Sequence, residues 1–189
     1  NCTHLQSVMF SDELSAIEDY AFLSCSALTT FSLPDSLKKI GTQAFNGCAA
    51  LESVEPLFPD GLTTLGGFAF QNCKLLTGDV VRIGFATNSA TGEMEVTTLG
   101  DYCLRYATKL GSLIVGPGVT DMSANALRDT QFRSVEFGCN MPTFPSFDGS
   151  NGKEVTNLVI RSTVDVELGA THFNEMKKLK EVTWGGWFT

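Results

Sequence analysis

Six cysteines and two histidines hold the nucleophilic and metal-ligating chemistry of this 189-residue chain, so their spacing decides what that chemistry is. A zinc site needs closely spaced ligand pairs, but no Cys-x-x-Cys occurs, and neither His4 nor His172 falls into a ligand spacing with the cysteines. Nucleophilic catalysis needs a base beside the nucleophile, and neither histidine lies in a recognisable partner motif. Gly66-Gly67 and Gly116-Pro117-Gly118 read as turn glycines, because no Gly-x-Gly-x-x-Gly pattern or following Lys-Ser/Thr accompanies them. Asp148-Gly149-Ser150-Asn151-Gly152 lacks the later glutamate of a calcium loop and reads as a plain turn. These residues point to a chain that is not an enzyme, with no metal and no cofactor.

The cysteines instead belong to a longer rhythm. Cys2, Cys25, Cys48 and Cys73 each precede an apolar anchor by three residues, and the anchors Leu5, Leu28, Leu51, Leu76, Leu110, Phe132, Val155 and Leu179 are separated by 23, 23, 25, 34, 22, 23 and 24 residues. A period in the twenties means one short unit per turn of a solenoid, each turn burying its apolar side against its neighbours. The pair Leu14/Ile17 returns as Leu37/Ile40, Leu62/Leu65, Val96/Leu99 and Val119/Met122, and five residues later stands Phe22, Phe45, Phe70, Leu104 or Leu127. Alanine precedes most of these, at Ala21, Ala44, Ala69 and Ala126, while Cys103 takes its place once and His172 before Phe173 reads as a packed histidine. Equivalent positions on stacked turns point the same way, so the ladder cysteines read as buried thiols rather than disulfides.

Between Leu28 and Leu33 apolar and polar residues alternate, the pattern of a half-buried strand, and Pro34, Pro59 and Pro117 end such strands because proline has no amide to donate. The Gly-x-x-Ala-Phe segment is expected to form a short helical or 3-10 turn. The predicted fold is thus an α/β solenoid over residues 1–189, with about seven to eight turns, parallel strands on one face, and helical turns and extended segments on the other. Two segments break the rhythm. Residues 80–98 read as an inserted hairpin around Ala86–Gly92, and residues 138–154, with Pro142 and Pro145, as an irregular turn. Trp184, Trp187 and Phe188 follow the last anchor, where an apolar end needs covering.

The unit that runs from Leu28 through Phe31, Leu33-Pro34, Leu37, Ile40-Gly41 and Ala44-Phe45 to Cys48 resembles the repeat of the BspA-like leucine-rich repeat family. That resemblance covers nearly the whole chain and is sharpest in the first three turns. It implies a cell-surface or secreted protein of host-associated bacteria or protozoa, used in adhesion to a host or neighbouring-cell protein. The other function it allows is a structural spacer without a ligand of its own.

Net charge is −8 with no run among the 13 lysines and arginines, which argues against nucleic acid or anionic lipid as partner. No apolar run reaches the length of a membrane span, and the chain, which opens inside a repeat, reads as a monomeric fragment of a longer protein. The outward strand positions are the natural contact surface: Thr30 and Ser32, Ser53 and Glu55, Ser112 and Ile114, Ser134 and Glu136, with Asn157 and Glu181. This face is small, polar and mildly acidic, which suits a protein ligand.

Overall fold

A computed structural model describes residues 1–120, 122–138, 152–161 and 176–185. Every strand in it is parallel to its neighbours. The larger sheet holds seven strands in the order β11-β10-β9-β8-β6-β4-β2. These are β2 (Thr30–Phe31), β4 (Ser53–Val54), β6 (Thr77–Ile83), β8 (Lys109–Val115), β9 (Ser134–Phe137), β10 (Asn157–Ile160) and β11 (Glu181–Trp184). A second sheet holds β1 (Ala16–Ile17), β3 (Lys39–Ile40), β5 (Thr64–Leu65) and β7 (Thr98–Leu99) in that order. As far as β8 the chain passes alternately through the two sheets, and β9, β10 and β11 extend the larger sheet alone, which makes the fold a parallel-strand β-solenoid.

The repeated apolar residues meet in one continuous core. Leu28, Leu51 and Leu76 are fully buried beside the larger sheet, Leu37, Ile40, Leu62 and Leu65 beside the second, and Phe45 and Phe70 close the third side. The phenylalanines stack along the axis: Phe22 on Phe45 with ring centroids 5.2 Å apart, and Phe45 on Phe70 at 5.0 Å.

The Gly-x-x-Ala-Phe segment departs from expectation. No helix or 3-10 turn forms among the described residues, and the backbone shows why. Successive amides donate alternately within their own turn and to the next one. Ala21, Leu23 and Cys25 donate to Glu18, Tyr20 and Phe22, three residues back, whereas Tyr20, Phe22 and Ser24 donate to Thr42, Ala44 and Asn46 of the following turn. The next turns repeat this, with Gln43, Phe45 and Gly47 donating to Gly67, Ala69 and Gln71. A helix would keep all of these donors to itself. The alternation places a left-handed residue on either side of Phe22, Phe45, Phe70 and Leu104, at Tyr20 and Ser24, Gln43 and Gly47, Phe68 and Asn72, and Tyr102 and Tyr106, and one after Leu127 at Asp129, all with φ between 54° and 77°.

The segment after Leu76 also differs from the projecting hairpin expected over residues 80–98. Val80 to Ile83 lie in the parallel sheet, paired with Ser112 to Val115, and Thr98–Leu99 belong to the second sheet. Antiparallel pairing is confined to the Thr87–Met94 bridge, flanked by Asn88 N–H to Glu93 O and Glu95 N–H to Ala86 O, both 2.8 Å. The strand-like run at Val80 is therefore a longer rung of the ladder, and the hairpin is only its tip.

Repeat lengths of 25 and 34 residues are reconciled by a slip in register. Thr30 pairs with Ser53, Ser53 with Thr77 and Thr77 with Lys109, so that Gly78, rather than Leu76, stands opposite the anchor Leu110. A Cβ on Gly78 would meet Leu57, Leu110 and Val81 side chains at 3.6 to 3.8 Å, ordinary contact distances, and φ there is not left-handed. Gly78→Ala is expected to raise stability by about 0.4–1 kcal/mol through the unfolded chain. A urea titration with a lower midpoint than the parent would contradict this.

Most of the irregular turn predicted at 138–154 lies outside the described residues, as do Cys139, His172, Phe173, Trp187 and Phe188. Trp184 is described, half-exposed in the end strand β11.

Candidate functional site

The ladder cysteines are structural. Cys25, Cys48, Cys73 and Cys103 are free and buried, and Cys2 is free and exposed. Cys48 and Cys73 donate S–H bonds to the Phe22 and Phe45 carbonyls of the preceding turn, each at 3.2 Å, and Cys103 donates to the Ala126 carbonyl at 3.3 Å. Cys103 thus fills the slot that alanine occupies in neighbouring turns. Burial pushes the Cys48 and Cys103 thiols up to about 12, and Cys73 is raised for the same reason. A thiol that keeps its proton in the folded chain but loses it unfolded near roughly pH 8.5 disfavours folding in between. Stability should therefore be undiminished below that pH and fall as the pH climbs from it toward 12. Guanidinium midpoints measured across this range test the point, and the slope should flatten in Cys73→Ala.

The outward strand positions separate into two groups. Val80, Ser112, Ser134, Asn157 and Glu181 form one continuous row of register partners, and Arg82, Ile114, Glu136, Val159 and Thr183 form the next. Of the predicted contact residues, six fall in these rows: Ser112, Ile114, Ser134, Glu136, Asn157 and Glu181. Thr30 and Ser53 do not join them. Their row continues into Thr77 and Lys109, three residues before Ser112, or about 10 Å along the strand. Ser32 and Glu55 are exposed just beyond the ends of β2 and β4.

Cross-strand bonds tie neighbouring side chains of the continuous face together. Ser134 Oγ donates to Ser112 Oγ at 2.7 Å, Asn157 Nδ2 to Glu181 Oε2 at 2.9 Å, and Arg161 Nε to Glu136 Oε1 at 2.6 Å. Glu136 is therefore partly spent on Arg161, which lowers its availability to a partner. Ser112 and Ile114, both half-buried, stand beside the central pair Ser134 and Glu136. In the other group, Thr30 and Ser53 share a hydroxyl bond of 3.2 Å.

Residue-type reasoning missed what the slip does at the C-terminal ends of β4 and β6. A cleft of about 490 Å³ opens there, with Asp35, Glu55, Asp60, Val80 and Arg82 in its lining. A second, of about 560 Å³, is lined by Asp60, Arg82, Phe85, Thr87, Met94 and Pro117. Arg82 divides them: its Nε donates to Asp60 Oδ1 at 3.3 Å, and its guanidinium lies 4.1 Å from the centre of the Phe85 ring. Glu95, at the foot of the hairpin, is paired with Lys38 of the second turn at 3.2 Å. The available signal was the pair of anomalous anchor spacings, 25 and 34 residues, which mark the position of the slip.

Among the described residues no group of three or more His, Cys, Asp or Glu side chains is placed to hold a metal ion, and no helix is long and apolar enough to cross a membrane.

The fold recurs in solved bacterial proteins. A leucine-rich repeat protein of T. pallidum is 22% identical with a TM-score of 0.56, over 95% of this chain and 72% of that one. A leucine-rich cell surface protein of Faecalibacterium prausnitzii A2-165 is 19% identical with a TM-score of 0.54, over 96% of this chain and 48% of that one, so the chain spans about half of its length. No curated protein matches the chain. The family described as BspA type leucine-rich repeat region matches residues 1–82 and 84–187, in six copies. With its repeats, its ladder of stacked turns and this match in agreement, the chain belongs to the BspA-type leucine-rich repeat family.

Proposed function

We propose that this chain is a protein-binding module, exposed at a cell surface or secreted and used in adhesion. The observation that carries the reading is the continuous register row Val80, Ser112, Ser134, Asn157 and Glu181, an open face in which polar side chains from Ser112 to Glu181 follow the exposed Val80, with Ile114 half-buried beside it. A parallel sheet built from stacked turns holds such a face in place before binding, so little ordering entropy opposes association. The family and the fold shared with a protein named for the cell surface support the location. The predicted residues Ser112, Ile114, Ser134, Asn157 and Glu181 form the centre of the contact, with Thr30, Ser32, Ser53, Glu55 and Glu136 at its margin. Net charge of −8 favours protein over nucleic acid.

The test is surface plasmon resonance of the chain against immobilised extracellular-matrix and mucosal proteins. Saturable binding that Ile114→Asp combined with Ser134→Lys weakens about tenfold or more is the expected result. Saturable binding that this double variant leaves unchanged would move the site elsewhere. The absence of any saturable ligand in the panel would favour a spacer that only holds neighbouring domains apart.

A further inference from the structure

The two clefts at the C-terminal ends of β4 and β6 have complementary linings. In the first, three carboxylates, Asp35, Glu55 and Asp60, face one guanidinium, that of Arg82. Asp60 is bonded to Arg82, whereas neither Asp35 nor Glu55 has a side-chain hydrogen bond or ion pair among the described residues, and both are exposed. Lys38, the nearest lysine, is instead paired with Glu95. In the second cleft Phe85, Pro117 and the 40% exposed Met94 supply an apolar surface next to Asp60, Arg82 and Thr87, and Val80, 52% exposed, lines the first cleft. Phe85, Met94 and Val80 thus place an apolar surface outside the core beside the slip.

We propose that this bipartite cleft takes an extended segment of a protein partner in which an apolar side chain seats against Phe85 and Met94 and an adjacent lysine or arginine reaches Glu55 and Asp35. The proposal rests on the reading of the chain as a protein-binding module and gives that module a second, chemically specified contact. Charge complementarity selects the occupant. An acidic segment would meet two unpaired carboxylates, and the cations at hand are committed, Arg82 to Asp60 and to the Phe85 ring and Lys38 to Glu95. A cationic segment is drawn in by the same carboxylates and by the net charge of −8. The hairpin tip between Thr87 and Met94 forms one wall, and the Lys38–Glu95 pair ties its foot to the stack, so the wall is anchored before a ligand arrives.

Selection of a random peptide library displayed on phage against the full chain tests this, followed by fluorescence polarisation of the enriched peptides. Peptides in which lysine or arginine adjoins a large apolar residue should be enriched. Asp35→Asn combined with Glu55→Gln should weaken them at least about tenfold, Met94→Ser should also weaken them, and affinity should fall as salt is raised. Enriched peptides that are acidic, or that bind both variants as well as the parent, would overturn the proposal. So would self-association of the chain that Asp35→Asn with Glu55→Gln abolishes, since the cleft would then belong to a second copy. Variants with an unchanged thermal midpoint exclude misfolding as the cause of lost binding. Panel binding that is lost in Ile114→Asp with Ser134→Lys, together with failure of the peptide selection, would remove the cleft proposal alone and leave the protein-binding reading standing.

Discussion

Gly66→Ala should cost the solenoid on the order of 3 kcal/mol or more, a loss far larger than a single added methyl group ordinarily causes. The residues Glu18, Gly41, Gly66 and Gly100 follow the buried second-sheet residues Ile17, Ile40, Leu65 and Leu99, and here successive backbones touch. A Cβ on Gly66 would lie 2.5 Å from the carbonyl carbon of Gly41 and closer still to the amide nitrogen of Thr42. On Gly100 it would lie 2.7 Å from the carbonyl carbon of Gly66 and closer to the Gly67 nitrogen. These are main-chain atoms, so no side-chain rotation relieves the clash, and the turns must separate. Separation breaks the bonds from Gly66 N–H to Ile40 O and from Gly100 N–H to Leu65 O, both 2.8 Å. Equilibrium unfolding in urea measures the effect. A Gly66→Ala midpoint within experimental error of the parent would show that the turns are not packed this closely, while Gly78→Ala, in open contact with side chains only, serves as the control.

Phe45→Ala is expected to cost about 3–5 kcal/mol. The ring is fully buried and contacts three others, with centroid distances of 5.2 Å to Phe22, 4.7 Å to Phe31 and 5.0 Å to Phe70. Its own backbone amide is fixed by a 2.8 Å bond to Ala69 O, so the surrounding turns cannot readily collapse into the void. Equivalent positions carry Leu104 and Leu127, both buried, which shows that leucine fits this slot. Phe45→Leu should accordingly lose less than half of what Phe45→Ala loses. Thermal and guanidinium unfolding of both variants provide the comparison, and equal losses would mean that the aromatic stack, not the filled volume, is what matters.

The core was legible in the sequence because burial leaves a periodic mark. Leu28, Leu51, Leu76, Ile40, Leu65, Phe45 and Phe70 recur at fixed offsets, and each is buried where the pattern places it. The ladder cysteines Cys25, Cys48 and Cys73 were legible for the same reason, whereas Cys2, at the same repeat position in the first turn, is exposed because no preceding turn covers it. The backbone between Ile40 and Cys48 was not. Gly-x-x-Ala-Phe has the composition of a helical turn, and the left-handed residues that exclude a helix include Tyr20, Phe68 and Tyr102, types that give no hint of positive φ. Their conformation is imposed by hydrogen bonds to a neighbouring turn, a partner that local propensity does not contain.

The strand face was legible in part. Alternation identified which side chains point outward, yet aligning the anchors assumed that Ser53 and Ser112 are equivalent, and the pairings through Thr77 and Lys109 separate them by three residues. Extra residues in a repeat can be absorbed in a loop or in the ladder, and the sequence around Leu76 and Val80 is compatible with both. Because the ladder took them, the acidic and apolar clefts around Arg82 exist at all.

The central claim is that a single stack of turns slips its register once, at β6, and that the slip creates the cleft. Diffraction from crystals of this chain measures it directly. The account predicts Ser53 opposite Thr77 and Val80 opposite Ser112, with Arg82 between Asp60 and Phe85. A sheet in which Leu51, Leu76 and Leu110 stand in unbroken register, with residues 80–98 projecting as a free hairpin, would contradict it.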